Sequence, residues 1–183
     1  MGAARETSSP GLVAGLAHVD KTTMNRLIVP LAAVIAVGGV STPAYADFTA
    51  FLGATRTPAN RTARGLAVGI GLLIVGFEFE YSSTSEDEIV NAPSLRTGMG
   101  NLIVQTPIPV GGLQFYGTIG GGLYRERLGE IQETNLGTNL GGGVKLSLVG
   151  PVRLRLDYRV FNLLGSPLHA RPQRFYAGLN LAF

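Results

Sequence analysis

Apolar and polar residues alternate with a period of two along most of the chain after residue 46. Between Val152 and Val160, apolar residues occupy one set of positions and charged residues occupy the other. Those charged residues are Arg153, Arg155, Asp157 and Arg159. The last segment places on one face Phe175, Ala177, Leu179, Leu181 and Phe183. This period is typical of a β-strand with one apolar and one polar face.

Turn residues divide this part of the chain into eight predicted strands. They cover residues 47–57, 61–71, 73–82, 94–106, 112–124, 134–148, 152–162 and 173–183. The boundary between the second and third strands is the least marked, because Gly71-Leu72-Leu73 contains no polar turn residue. If that stretch were continuous, the count would be seven. We prefer eight, since an even number returns both ends of a barrel to one side.

The lengths of the predicted strands favour a barrel that crosses a membrane. A tilted strand needs about 9–11 residues to cross the hydrocarbon layer, whereas strands of globular proteins average about 5–6. Only a closed sheet pairs all of its backbone groups in lipid. Longer polar connections, expected on the external rim, cover 57–60, 82–93, 125–133 and 162–172. The predicted fold class is all-β: a closed antiparallel up-and-down transmembrane β-barrel of eight strands.

Aromatic residues on the apolar face fall near both ends of the predicted strands. We expect Phe48, Phe115 and Phe183 at the periplasmic end. Toward the external end we place Phe79, Tyr81 and Phe175. Two such bands match the preference of aromatic rings for membrane interfaces.

The segment before residue 47 predicts a targeting signal rather than part of the fold. Arg26 precedes a short apolar run from Leu27 to Val40, and Ala44-Tyr45-Ala46 precedes Asp47. A basic start, a short apolar core and an A-x-A ending are typical of a secretory signal peptide. We expect a signal over 24–46, cleavage between Ala46 and Asp47, and a barrel over 47–183. Residues 1–23 fit no element, and we expect translation to start at Met24.

Composition restricts the classes of function. The chain has 183 residues, 45% of them hydrophobic and 15% charged, which indicates one ordered domain. It has no cysteine, which excludes disulfides and thiolate chemistry. The 12 basic and 10 acidic residues from Asp47 onward are dispersed, which gives no basis for a nucleic-acid partner. Glycine runs at 120–122 and 141–143 are expected to leave room inside a narrow barrel.

Charged residues on the polar faces of two strands predict an ionic network inside the barrel. An eight-stranded barrel has an interior just wide enough for side chains, and a buried charge needs a partner. The third and seventh strands lie opposite each other in a ring of eight. We therefore expect a network formed by Glu78, Glu80, Arg153, Arg155, Asp157 and Arg159. It would plug the lumen; a small gated pore is the alternative.

The polar connections contain few residues that could carry chemistry. His169 and Ser166 share the last connection, but no spacing rule joins them to a carboxylate. A lipid-modifying enzyme is therefore an alternative rather than the prediction. The acidic stretch 82–88 lacks the spaced ligands and the glycine of a calcium loop. We predict no catalytic, metal-binding or cofactor-binding residue.

The chain resembles the small outer-membrane β-barrels of the OmpA/OmpX-like family. Three segments carry the resemblance: 76–81, 153–159 and 174–183. The last is similar to the insertion signal of such barrels, whose apolar positions here are Phe175, Leu179, Leu181 and Phe183. The resemblance implies export through the secretion channel and insertion by the barrel-assembly machinery. We also expect a monomer in contact with outer-membrane lipid and lipopolysaccharide, and no peptidoglycan-binding domain after the barrel, because the chain stops at Phe183.

The role expected for such a barrel is structural, or interaction at the cell surface. The competing fold is a soluble periplasmic barrel of lipocalin type, which binds an apolar ligand inside. That fold would turn the apolar faces inward and leave Arg155, Arg159 and Glu78 on a wet exterior. Alternation alone does not separate the two folds. The strand lengths, the terminal aromatic residue and the absence of tryptophan favour the membrane barrel.

Overall fold

A computed structural model describes residues 44–183 as one closed sheet. Each strand pairs antiparallel with the next, and the first pairs with the last. The strands are β1 Ala44–Thr55, β2 Arg61–Leu72, β3 Val75–Thr84, β4 Ser94–Gln105, β5 Leu113–Leu128, β6 Ile131–Val149, β7 Val152–Leu163 and β8 Gln173–Ala182. The predicted fold class and strand number are confirmed. No helix among these residues is long and apolar enough to cross a membrane.

The uncertain boundary between β2 and β3 is a two-residue turn at Leu73 and Ile74. Leu73 has a φ of 40°, in the left-handed region that a branched residue seldom adopts. The pairing of β2 with β3 continues down to Leu72 and Val75, directly beside the turn. The chain therefore reverses here without glycine or a polar turn residue, and eight strands result rather than seven.

The barrel has two distinct rims. The terminal rim carries the start of β1, the end of β8 and the connections 73–74, 106–112 and 150–151. The loop rim carries the connections 56–60, 85–93, 129–130 and 164–172. The start of β1 and the end of β8 therefore lie on one rim, as an even number of strands requires.

One predicted loop is wrong. We expected a charged connection over 125–133, but β5 continues to Leu128 and β6 starts at Ile131. Only Gly129 and Glu130 connect them, and Gly129 takes a φ of +59°. The prediction took charged residues as the mark of a connection. Outside the apolar part of a barrel, however, a strand can carry charged residues on both faces. The two strands remain paired, and Glu126 stays on the inner face while Arg125 and Arg127 are exposed.

Apolar side chains cover the outer wall of the barrel. Each strand exposes large apolar residues on its outer face, and those more than half exposed include Leu52, Val68, Ile70, Phe77, Phe79, Phe115, Ile119, Leu123, Leu136, Leu140 and Leu179. The inner face carries the buried charged residues, among them Arg155, Arg159 and Glu80, each 0% exposed. A lipocalin-type barrel has the opposite orientation, so that alternative is wrong.

A single substitution on the outer wall tests whether that wall faces lipid. Ile119 lies midway along the outer face of β5, opposite Leu102 and Leu140. In barrels refolded into phospholipid vesicles, Ile119→Arg is expected to lower the free energy of unfolding by about 2–4 kcal/mol, since the charge would lie in hydrocarbon. The control Asn162→Arg, on the outer face of β7 near the loop rim, is expected to cost about 0–1 kcal/mol. Equal losses in urea titrations would contradict a lipid-facing wall.

Candidate functional site

The middle of the lumen holds a cluster of buried, oppositely charged side chains. Glu78 of β3 accepts hydrogen bonds from Arg155 and Arg159 of β7, on the opposite side of the barrel. The Arg159 Nη2 to Glu78 Oε1 distance is 2.9 Å, and Arg155 Nη1 pairs with Glu78 Oε2. Arg159 also lies 3.2 Å from Glu80. The sequence-predicted partners Glu78, Glu80, Arg155 and Arg159 therefore meet across the lumen.

Asp157 completes the cluster from between the two arginines. In a strand, residues two apart share a face, so Arg155, Asp157 and Arg159 all point inward. Asp157 accepts hydrogen bonds from both guanidinium groups, at 3.3 Å and 3.0 Å. Tyr116 of β5 donates its hydroxyl to Asp157 at 2.5 Å and accepts a hydrogen bond from Arg155 Nε at 2.7 Å.

Gly143 of β6 makes room for Tyr116. A Cβ at this position would lie 2.5 Å from the Tyr116 hydroxyl oxygen, closer than carbon and oxygen can approach. The absence of a side chain therefore lets the tyrosine reach Asp157 and Arg155. This contact is a physical role for one glycine of the run at 141–143.

Arg174 of β8 belongs to the cluster but was missed by the sequence analysis. Its guanidinium pairs with Glu80 and donates a hydrogen bond to Ser82 Oγ at 2.6 Å. The guanidinium carbon lies 4.9–5.4 Å from the ring centroids of Phe51, Phe161 and Tyr176. The sequence signal was available, because Arg174 lies on the polar face of β8 with Tyr176.

The resulting central cluster is electrically balanced. Its three arginines are Arg155, Arg159 and Arg174, and its three carboxylates are Glu78, Glu80 and Asp157. All six side chains are at most 3% exposed. Mutual neutralisation and hydrogen bonding offset the large cost of removing these charges from water.

Arg153 stands apart from the central cluster, contrary to expectation. It is the second residue of β7, near the terminal rim, and its Nη1 lies 3.4 Å from Gln114 Oε1. A separate ion pair, which the sequence did not predict, joins Lys145 Nζ to Asp47 Oδ2 at 2.8 Å nearby. These four residues line a cavity of about 170 Å³ at the terminal rim. Arg153 is too near the rim to reach the carboxylates of β3.

Side chains close the lumen at the loop rim. Arg61 donates hydrogen bonds to the backbone carbonyls of Thr57, Ser85 and Pro93. Glu126 accepts from the Leu168 amide at 3.0 Å. Because Arg61 and Glu126 are inner-face residues, these bonds hold three connections over the mouth of the barrel.

The candidate residues in the connections are not brought together as a reactive site. Ser166 donates its backbone amide to Glu133, which also lies 3.3 Å from the Tyr124 hydroxyl. Burial and the nearby Arg61 guanidinium lower the pKa of His169. In the acidic stretch, Glu86 accepts a hydrogen bond from the Gly129 amide at 2.7 Å. No cluster of three potential metal ligands occurs among residues 44–183.

The predicted insertion signal lies on the outer wall. Phe175, Leu179, Leu181 and Phe183 point outward and are 42–74% exposed. Phe183 also exchanges two backbone hydrogen bonds with Ala46, each 2.9 Å long. Its role in insertion remains a prediction.

The predicted cleavage site lies at the start of β1. Ala44 pairs with Leu72, and Ala46 pairs with Ile70. Asp47 is the first residue of β1 that pairs with both neighbouring strands. Most of the predicted signal, residues 24–43, and the predicted start region 1–23 lie outside the described residues. Cleavage between Ala46 and Asp47 remains a prediction.

Among known proteins, the chain is similar in fold to several solved structures. No family model and no curated protein matches the sequence. Among solved structures, Neisserial surface protein A is similar with a TM-score of 0.62 and 16% identity, over 76% of this chain and 97% of that chain. The N-terminal β-barrel domain of Pseudomonas aeruginosa OprF has a TM-score of 0.57 and 17% identity, over 76% and 97%.

A third solved structure is Ail, the attachment invasion locus protein of Yersinia pestis, in complex with the heparin analogue sucrose octasulfate. Its TM-score is 0.50 at 11% identity, over 78% of this chain and 99% of that chain. These three proteins are small eight-stranded outer-membrane barrels. The present chain has the same fold, which confirms the fold that the resemblance implied.

The central cluster predicts that removing a buried carboxylate lowers the free energy of unfolding more than removing an exposed one. Glu78→Ala would leave Arg155 and Arg159 short of one partner, so the free energy of unfolding is expected to fall by about 3–5 kcal/mol. The control Glu130→Ala removes an exposed carboxylate from the β5–β6 turn and is expected to change it by less than about 0.5 kcal/mol. Urea unfolding in vesicles measures both. A Glu78→Ala barrel as stable as the control would contradict mutual neutralisation.

Proposed function

We propose that this protein is an integral outer-membrane protein whose sealed barrel is a scaffold, with a structural or surface-interaction role at the loop rim. One observation carries the proposal: the closed sheet is apolar outside and ionic inside. Soluble monomers rarely expose an apolar patch larger than a few hundred Å². Here exposed apolar side chains continue around all eight strands, and lipid is the solvent that fits such a wall.

The outer membrane is the proposed location. Transmembrane barrels of this type are proteins of that membrane, and the similar solved structures are outer-membrane proteins. The predicted signal over 24–46 and the terminal aromatic residue support export and insertion. The loop rim would then face the outside, and the terminal rim would face the periplasm.

The filled lumen supports a scaffold rather than a pore. The central cluster occupies the middle of the barrel, and Arg61 and Glu126 tie the connections over one mouth. The cavity at the terminal rim is lined by residues of that rim and of the adjoining strand ends. A path for ions would require Glu78, Arg155 and Arg159 to separate, which would leave buried charges unpaired.

A non-catalytic role is part of this proposal. His169 is the only histidine among residues 44–183. The hydrogen bonds at this connection involve the backbone amides of Ser166 and Leu168, which hold the loop against the barrel. The arrangement supports a structural use of the connection rather than a reactive site.

Fractionation tests the location. The expressed full chain is expected in the outer-membrane fraction, and its folded form is expected to migrate faster on a detergent gel before boiling than after. The cause is the closed sheet, which resists detergent until heated. Recovery in the soluble periplasm, with no heat-dependent migration, would contradict the proposal.

Conductance tests the sealed lumen. The wild-type barrel in planar bilayers is expected to show no steady channel, because paired side chains fill the interior. The double variant Glu78→Ala/Arg155→Ala removes both partners of one ion pair and shortens two side chains that fill the lumen. Its conductance is therefore expected to exceed that of the wild type. A steady open channel in the wild type would favour the pore alternative.

A further inference from the structure

Charged residues are sorted by sign between the inner and outer faces of the barrel. The inner face carries both signs, whereas no strand within residues 44–183 has an aspartate or glutamate on its outer face. The charged residues that the strands expose outward are all arginines near the loop rim: Arg64, Arg96, Arg125 and Arg127. The outer wall is therefore neutral toward the terminal rim and purely cationic toward the loop rim.

Three of these arginines form one continuous row across four neighbouring strands. Arg64 of β2 pairs with Ser83 of β3, and Ser83 pairs with Arg96 of β4. Arg96 in turn pairs directly with Arg125 of β5. Strands lie about 4.8 Å apart, so the arginine row Arg64–Ser83–Arg96–Arg125 spans about 15 Å. The apolar outer residues Leu66, Tyr81 and Leu123 lie two positions further into the wall.

The arginine row lacks carboxylate partners within the barrel. None of the ion pairs among residues 44–183 includes one of its three arginines. Arg125 Nε donates to Thr134 Oγ1 at 3.2 Å, which satisfies one of its donors with a neutral group. Like charges directly opposite each other on neighbouring strands are destabilising. Arg96 and Arg125 therefore form a repulsive pair that an external anion would relieve.

A groove on the outer wall connects the arginine row with the apolar belt. Its lining includes Arg64, Ser83 and Arg96 at the level of the row, and Leu66, Leu154 and Leu179 two positions further into the wall. Small outward-facing residues keep it open, since its lining includes Ala50 and Ala177. The groove thus offers cationic donors beside an apolar channel of the kind a hydrocarbon chain fills.

We propose that the arginine row binds the phosphate groups of lipid A in the external leaflet, with an acyl chain in the groove below it. This inference rests on the proposed location in the outer membrane. Guanidinium groups pair with phosphate through two parallel charge-assisted hydrogen bonds, which makes arginine suited to this contact. A single amphiphile with an anionic head and hydrocarbon tails satisfies both ends of the groove.

Binding of lipid A to the detergent-solubilised barrel tests the proposal. The test variant R96Q/R125Q removes two charges from the row, and the control R56Q/R171Q removes two exposed arginines from the connections 56–60 and 164–172. Each protein in zwitterionic detergent is titrated with diphosphoryl lipid A, and the lipid retained after size-exclusion chromatography is quantified by mass spectrometry. Lipid A with both phosphates removed is the second probe.

The row variant is expected to bind diphosphoryl lipid A at least tenfold more weakly than the wild type, with the control within twofold. Wild-type binding of the dephosphorylated lipid is expected to fall by a similar factor. Without lipid A, R96Q/R125Q is expected to unfold at the same urea concentration as the wild type or a higher one, because repulsion is relieved. A purely structural role for the arginines would instead destabilise it.

Three results would overturn the proposal: no binding by the wild type, equal binding by the row variant, or binding that ignores the phosphates. Heat-dependent migration of each protein before titration separates these results from failure of the proposed function. A barrel that folds in lipid but binds lipid A without using the row disproves the further inference alone. A chain that does not fold in lipid disproves both.

Discussion

Closure of the sheet by β1 and β8 is the constraint on which the other features depend. Nine residue pairs join the two strands, from Asp47 with Ala182 to Thr55 with Arg174. In hydrocarbon, each unpaired backbone group would cost several kcal/mol, so a single open seam would outweigh the stability of a typical domain. Closure at eight strands also sets the interior width, which leaves space for side chains but not for a wide channel.

The central cluster follows from that narrow interior. Polar faces that point inward must satisfy one another, and three guanidinium groups meet three carboxylates with Tyr116 between them. A buried ion pair is weak evidence for added stability, because desolvation cancels most of the attraction. Its greater effect is on specificity: a one-residue slip of β7 against its neighbours would turn Arg155 and Arg159 into the lipid. The network therefore favours one register of the barrel.

The distribution of charge makes the two ends of the barrel different. Ionic groups inside are balanced and hold the strands together, whereas the arginine row outside has no acidic counterpart on the wall. The same rim carries the connections that Arg61 and Glu126 draw over the lumen. A cationic band beside an apolar wall suits the boundary between hydrocarbon and anionic headgroups. In the proposed orientation, the exposed parts of these connections would form the surface that faces the outside of the cell.

The sequence by itself determined the strands and their faces, because a period of two is a local property of extended backbone. That pattern was enough to place Glu78, Glu80, Arg155, Asp157 and Arg159 on the polar faces of their strands. Strand length and the terminal aromatic residue favoured turning those faces inward, and the even number that a barrel requires decided the count of eight. The sequence pattern misjudged residues 125–133, because charge marks the edge of the membrane rather than the end of a strand.

Only the tertiary structure decided which of these residues touch. Lys145 and Asp47 are 98 positions apart, and their contact depends on closure and on the register of several strands. The pairing of Arg174 with Glu80, the isolation of Arg153 and the alignment of Arg64, Arg96 and Arg125 have the same origin. Alternation says that a side chain points in or out, but its height along the barrel is set by register, tilt and closure.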